Sequence, residues 1–201
     1  DMYEPEELPT PQIEQMPEGA PAYAGKTGGE IAQYFPVPSA DENEGPYSEE
    51  LKTNLIHGYY ASMSYSDAQI GKVLDELKKQ GLDKNTIVVL WGDHGFLLGE
   101  LNMWTKHVNY EKANRIPLLI KAPGVTEPGT STDQLAETVD IYPTLADLAG
   151  FETPEPQQPF DGVSMVPVLK DPDTRVRDYA YHAYPRGGKM GRAIRTDRYR
   201  L

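Results

Sequence analysis

The sequence predicts an α/β protein with a small antiparallel C-terminal subdomain. Three observations carry that expectation. Apolar residues recur at helical spacing from Leu51 to Leu77. Two short, continuous apolar runs, 87–91 and 116–120, have the composition of strands buried on both faces. After a second helical stretch, the tail offers two strand candidates around a turn. Helix, strand, strand, helix and hairpin is the order of a layered α/β fold. The 201 residues suffice for a sizeable core, because a domain of this size buries roughly 70% of its unfolded surface.

Residues 1–46 form an acidic, proline-rich segment with no sustained periodicity; eight of the 18 prolines fall there. Charge and proline oppose burial and favour disorder. Ile13, Met16, Tyr23, Ile31, Tyr34, Phe35 and Val37 favour a long loop lying on a core. Ser48 is a helix N-cap candidate, with Glu49 and Glu50 where the helix dipole favours acids. Lys78, Lys79 and Gly81 are stop signals, so one helix is predicted over Glu49–Gln80. Tyr59, Tyr60 and Tyr65 on it form either a binding surface or, more simply, helix packing. The first strand run stops at Gly92-Asp93-His94-Gly95 and the second at Pro123-Gly124. A helix is predicted over Ile141–Ala149, with Asp140 as N-cap, Pro143 in the first turn and Gly150 beyond its end. The hairpin is predicted from Asp178–Tyr184 and Arg192–Leu201 around Pro185-Arg186-Gly187-Gly188.

The net charge of −12 is concentrated at one end. The first 50 residues hold 12 acids and one base, Lys26; the remainder is close to neutral. An acidic balance argues against nucleic acid or an anionic membrane as partner. The absence of cysteine excludes a disulfide framework, a thiolate metal site and a thiol nucleophile within the chain. No signal peptide and no run of 18 apolar residues is present. The chain opens without an initiator Met and closes on what reads as an unfinished strand, so both ends are expected to be cuts through a longer protein.

Asp93 and His94 fall at the carboxyl end of the better strand, where open α/β sheets bind ligands. A carboxylate and an imidazole side by side can share a cation if the backbone turns sharply, which Gly92 and Gly95 permit. An ordinary polar turn is the competing reading, and two ligands do not complete a divalent site. Lys106 lies in a segment rich in hydrogen-bonding side chains. It reads either as a cation for an anionic substrate or as a solvated surface lysine. His107 could donate a proton, touch substrate or support another ligand. His57 and His182 read as structural residues of a helix and a strand.

The order of these features resembles the sulfatase family, and within it the iduronate-2-sulfatase-like branch. The resemblance rests on the strand with Gly-Asp-His-Gly, Leu98-Gly99-Glu100, Trp104-x-Lys106, and Arg115-x-Pro117 followed by a strand and Pro123-Gly124. Val139-Asp140-Ile141-Tyr142-Pro143-Thr144-Leu145, Asp161-Gly162-Val163-Ser164, the closing 193–199 and the upstream 59–71 extend it over residues 47–201. The resemblance implies an α/β/α sandwich of the alkaline-phosphatase type with a small antiparallel C-terminal subdomain. Residues 1–46 would be an acidic loop segment near the substrate entrance, 47–170 the C-terminal part of the α/β domain, and 171–201 the start of the subdomain. It implies hydrolysis of sulfate esters, one divalent cation, usually Ca²⁺, and a formylglycine nucleophile made in a Cys/Ser-x-Pro-x-Arg motif. Asp93 and His94 would be metal ligands and Lys106 the catalytic, sulfate-binding lysine; His107 occurs in related sequences but not uniformly, and is kept as a candidate substrate contact. The partners implied are a sulfated carbohydrate or other sulfate ester and the missing N-terminal part of the protein. A periplasmic, secreted or lysosomal setting is usual in the family.

Departures bear on these expectations. The chain has no Cys, and its Pro38-Ser39 pair is not in the maturation motif. The formylglycine and the family's N-terminal Asp-Asp ligands would therefore lie outside it, and the chain alone is expected to be inactive. Leu101-Asn102 replaces a common His-Gly, though Asn tolerates the left-handed turn glycine would supply. A phosphodiesterase or phosphonate monoester hydrolase of the same superfamily, and a non-catalytic fragment binding a sulfated glycan or a partner subunit, are the rival readings.

Overall fold

A computed structural model describes residues 2–26, 29–39, 46–151, 159–186 and 188–201. In chain order its elements are α1 (Glu49–Lys79), β1 (Val88–Trp91), β2 (Leu97–Leu98), β3 (Trp104–Thr105), α2 (Glu111–Asn114), β4 (Leu118–Lys121), α3 (Ile141–Leu148), α4 (Val166–Lys170), β5 (Ala180–Arg186) and β6 (Lys189–Arg195). Short 3-10 turns intervene. The chain divides into two compact units, Asp1–Asp83 with Gly92–Ile116, and Lys84–Trp91 with Pro117–Leu201. No helix among the described residues is long and apolar enough to cross a membrane.

The first unit is built around α1, whose ends follow local chemistry. The Leu51 N–H donates to the Ser48 hydroxyl at 3.2 Å, which satisfies one of the helix's orphan donors. At the other end Gly81 takes φ +69°. The Gly81 and Leu82 N–H groups then donate to the carbonyls of Lys78 and Leu77, a Schellman closure. Ile56 of α1 packs with Val37, Tyr47 and Trp104 in a buried cluster, ringed by Leu8, Ile31, Leu51, Leu55, Tyr60 and Leu98. Leu8, Ile31 and Val37 come from the acidic segment, so its described part lies on the core. Polar ties reinforce that course. Lys52 donates to Glu14 at 2.7 Å, and the Leu101 N–H donates to the Ile13 carbonyl at 2.8 Å. Of the three helix tyrosines, Tyr60 packs edge-on against Tyr3, Tyr59 stacks on Phe96, and Tyr65 is exposed. A second cluster, Leu97, Met103, Val108 and Ala113, holds the β2–β3 ribbon against α2.

In the second unit β1 and β4 pair antiparallel, from Val88 opposite Lys121 to Trp91 opposite Leu118. This corrects the expectation of strands buried on both faces. Leu90, Trp91 and Leu119 are 39%, 47% and 58% exposed. Among the described residues this sheet has two strands, and burying both faces of a strand takes elements packed above and below the sheet, not partner strands at its edges. α3 ends as α1 does. Gly150 takes φ +68°, and Phe151 N–H donates to the Ala146 carbonyl at 2.9 Å.

Asp140 precedes α3 but its side chain does not cap it. The carboxylate is fully buried and turns back. It accepts from the N–H groups of Glu137 and Val163, each at 2.8 Å, and from the Arg177 guanidinium through Nε and Nη2. Glu137 takes a further Arg177 nitrogen at 3.2 Å and the Tyr181 N–H at 2.7 Å. Thr144, also fully buried, accepts from the Met165 N–H and so ties α3 to the entry of α4. Gly162 is required here, because a Cβ would stand 2.0 Å from the Val139 carbonyl oxygen.

The terminal hairpin forms, with shifted ends. β5 and β6 pair through to Arg186 opposite Lys189, with Pro185 opposite Met190, so the strands run further toward the turn than predicted. The predicted strand over Arg192–Leu201 breaks after Arg195. Thr196 Oγ1 accepts the Tyr199 N–H, a turn that competes with the ladder, and Leu201 folds back to pair with Ile194.

Candidate active site

All four residues singled out by sequence sit in the first unit. Beyond β1 the chain turns through Asp93 and His94 to Gly95. The Gly95 N–H donates to the Ala113 carbonyl at 2.8 Å, and a Cβ at Gly95 would stand 2.0 Å from the Lys112 carbonyl oxygen. Glycine at 95 therefore permits the turn to lie directly on α2. Within the turn, the His94 N–H donates to Asp93 Oδ1 at 3.0 Å. His94 Nδ1 is 2.9 Å from the Gly95 carbonyl oxygen. A carbonyl only accepts, so Nδ1 is the donor in that contact. The other ring nitrogen, Nε2, lies 3.5 Å from Asp93 Oδ2.

One carboxylate oxygen and one imidazole nitrogen thus converge, with the other ring nitrogen anchored as metal-ligating histidines usually are. The donor set fits part of a divalent-cation site. Among the described residues no three His, Cys, Asp or Glu side chains are grouped to hold a metal.

The turn from β2 to β3 carries the lysine. Gly99 has φ +107°, and a Cβ there would crowd Trp104 and Pro11 at 3.1 Å. Asn102 is left-handed at φ +54°, as expected where glycine is absent. Leu101 is left-handed too, at φ +56°, a conformation that costs a leucine roughly 1 kcal/mol. Trp104 and Thr105 are buried. The Thr105 hydroxyl accepts the His107 N–H at 3.1 Å, and the Val108 N–H donates to the Lys106 carbonyl at 2.9 Å. A buried strand end and a tight turn present Lys106 and His107 together.

Both converge on a residue the sequence did not single out. Lys106 Nζ lies 3.1 Å from Glu30 Oε2, and His107 Nε2 lies 3.3 Å from the same oxygen. The Tyr34 hydroxyl donates to Glu30 Oε1 at 3.1 Å. The hydrogen bond from Lys106, then those from Tyr34 and His107, hold the Glu30 carboxyl below the usual carboxylate range against the opposing effect of burial. The same carboxylate pushes the Tyr34 hydroxyl up. Glu30 is one of 12 acids in the first 50 residues, and nothing local distinguished it. His57 and His182 lie in α1 and β5, as read from sequence.

The sulfatase family profile matches residues 13–151, beginning inside the acidic segment. Iduronate 2-sulfatase of Mus musculus is 36% identical over 134 residues, 55% of this chain and 24% of that protein. A protein solved in complex with its substrate D-glucosamine-2-N,6-O-disulfate is 31% identical, with a TM-score of 0.69 over 77% of this chain and 33% of that one. Phosphonate monoester hydrolase of Agrobacterium radiobacter is 25% identical, with a TM-score of 0.68 over 81% of this chain and 34% of that one. The chain spans about a quarter of the length of the curated relatives it matches first, 27% and 24%.

The fold is therefore α/β of the alkaline-phosphatase-like class. Within that class the chain belongs to the sulfatase family, as the ordered motifs implied.

Proposed function

We propose that this chain supplies the leaving-group side of a sulfuric-ester hydrolase acting on sulfated glycans. One observation carries the reading: Lys106 and His107 are presented together on a hydrogen-bonded turn and already converge on an anion, the Glu30 carboxylate. Lys106 would bind the sulfate group and donate to the ester oxygen as charge develops there. His107 would hold a second sulfate oxygen. Asp93 and His94 would hold part of the coordination of a divalent cation, Ca²⁺ by the family resemblance. When bound, that cation supplies positive charge for the sulfuryl oxygens. The remaining ligands and a formylglycine nucleophile would come from outside these residues, so the isolated chain would turn over no ester.

The complete protein containing this chain should cleave an aryl sulfate or a sulfated sugar. Lys106→Ala should lower kcat/KM about a hundredfold or more, the range for loss of one charge-stabilising donor. Unchanged kcat/KM in that variant would remove Lys106 from the chemistry. The structural likeness to a phosphonate monoester hydrolase supports a second reading, in which the favoured substrate is a phosphonate monoester. The two substrates compared on one enzyme preparation decide between them.

A further inference from the structure

We infer that Glu30 is a built-in competitor for the anion site, which an incoming sulfate must displace from Lys106 and His107. The inference rests on the reading of Lys106 as the sulfate-binding lysine and adds a residue that sets how tightly that site holds anions.

Four observations support it. First, the Glu30 carboxylate accepts from Lys106, His107 and Tyr34 at once. A planar anion with three donors around it occupies the kind of cradle a sulfate group needs. Second, Glu30 comes from far away in sequence, 76 positions before Lys106. The contact is made by the fold and not by chain proximity. Third, the backbone that carries Glu30 is tied to the core. It opens the 3-10 turn Glu30–Gln33, whose next residue, Ile31, packs on the buried Val37–Tyr47–Ile56–Trp104 cluster. Fourth, the carboxylate itself has room to leave. The Glu30 side chain is 37% exposed, and its Tyr34 partner is more than half exposed. Rotation about the Glu30 side-chain bonds frees Lys106 without moving the turn.

Two anions cannot share one ammonium without repulsion. Glu30 therefore weakens the hold on any sulfate, free sulfate included, and a bound ester must exceed that competition. In a hydrolase this sets a threshold against retention of the inorganic product.

The test is a titration of inorganic sulfate into the ¹⁵N-labelled chain at fixed ionic strength, read at the Lys106 and His107 amide signals. Glu30→Gln should bind sulfate about two- to fivefold more tightly than wild type, the range for losing a part-exposed ion pair. Adding Lys106→Ala should abolish the gain. Glu76→Gln, which removes one acid from an exposed pair on α1, should leave the affinity at the wild-type value. If Glu30→Gln perturbs the fold, Glu30→Asp serves. It keeps the charge but falls one methylene short of Lys106, and should also bind sulfate more tightly than wild type. Sulfate binding no tighter than wild type in these variants, including no binding in any of them, overturns the inference. So does an equal gain in Glu76→Gln, which assigns the effect to net charge. A complete protein that hydrolyses no sulfate ester defeats the sulfatase reading alone and leaves the titration result standing.

Discussion

Replacing Asp140 by Ala should be among the most damaging single changes in the second unit. The carboxylate is fully buried and accepts four hydrogen bonds, two from backbone N–H groups and two from Arg177. Its loss strands the Arg177 side chain, which is 11% exposed. Removing one partner of a buried ion pair costs about 3–5 kcal/mol. Arg177 keeps Glu137 at 3.2 Å, which places the expectation at the lower end, about 3 kcal/mol. With a urea m-value of about 2 kcal/mol per molar, the midpoint for this unit should fall by about 1.5 M. Amide exchange gives the local reading. The Glu137 and Val163 amides lose their acceptor directly and should exchange about a hundredfold faster, since each 1.4 kcal/mol is roughly tenfold. A double-mutant cycle with Arg177→Met isolates the pair and should return a coupling above about 1 kcal/mol. A midpoint shift below about 0.3 M, or additive single and double variants, would refute the view that this network holds the unit together.

Four further outcomes are expected. Gly95→Ala places a Cβ 2.0 Å from the Lys112 carbonyl, so the Asp93–His94 turn must lift off α2; thermal unfolding should register a loss of about 2 kcal/mol or more, and retention of wild-type stability would discount the contact. Ser48→Ala removes the N-cap of α1 and should cost about 1 kcal/mol in a urea titration followed by helical circular dichroism. The depressed Glu30 pKa, due first to Lys106, means the folded state favours the ionised carboxylate. Its contribution is full above the ordinary value of 4.5 and fades as pH falls through the lower folded value; the melting-temperature difference between wild type and Glu30→Gln should shrink over that acid interval. Ca²⁺ titrated against the isolated chain should shift the His94 ring signals only weakly, and Asp93→Ala should remove the shift; an equal response in that variant would exclude Asp93 as a ligand.

The elements legible in the sequence are those specified within a few residues of themselves. α1 begins at Ser48 and closes at Gly81 because cap, first-turn acids and left-handed glycine all act locally. α3 with Gly150 follows the same logic. The pairing of Asp93 with His94 and the presentation of Lys106 were legible as ordered motifs. What escaped depends on distant partners. Asp140 has the identity of an N-cap, but Arg177, 37 residues on, draws its side chain inward. Glu30 gains its place only when the acidic segment is laid beside β3. The strand run 87–91 announced full burial, yet burial is a property of what surrounds a strand, and residues 88–91 meet a single partner strand here.

The attachment of the acidic segment to the core has a kinetic consequence. On the proposed reading, an anion reaching Lys106 passes the negative charge of the acidic segment, whose Glu30 touches that lysine. The field of that segment slows like-charged ligands, and salt screens it over about 10 Å at 0.1 M. Anion capture at Lys106 should then quicken as ionic strength rises, opposite to the trend of an anion site framed by bases.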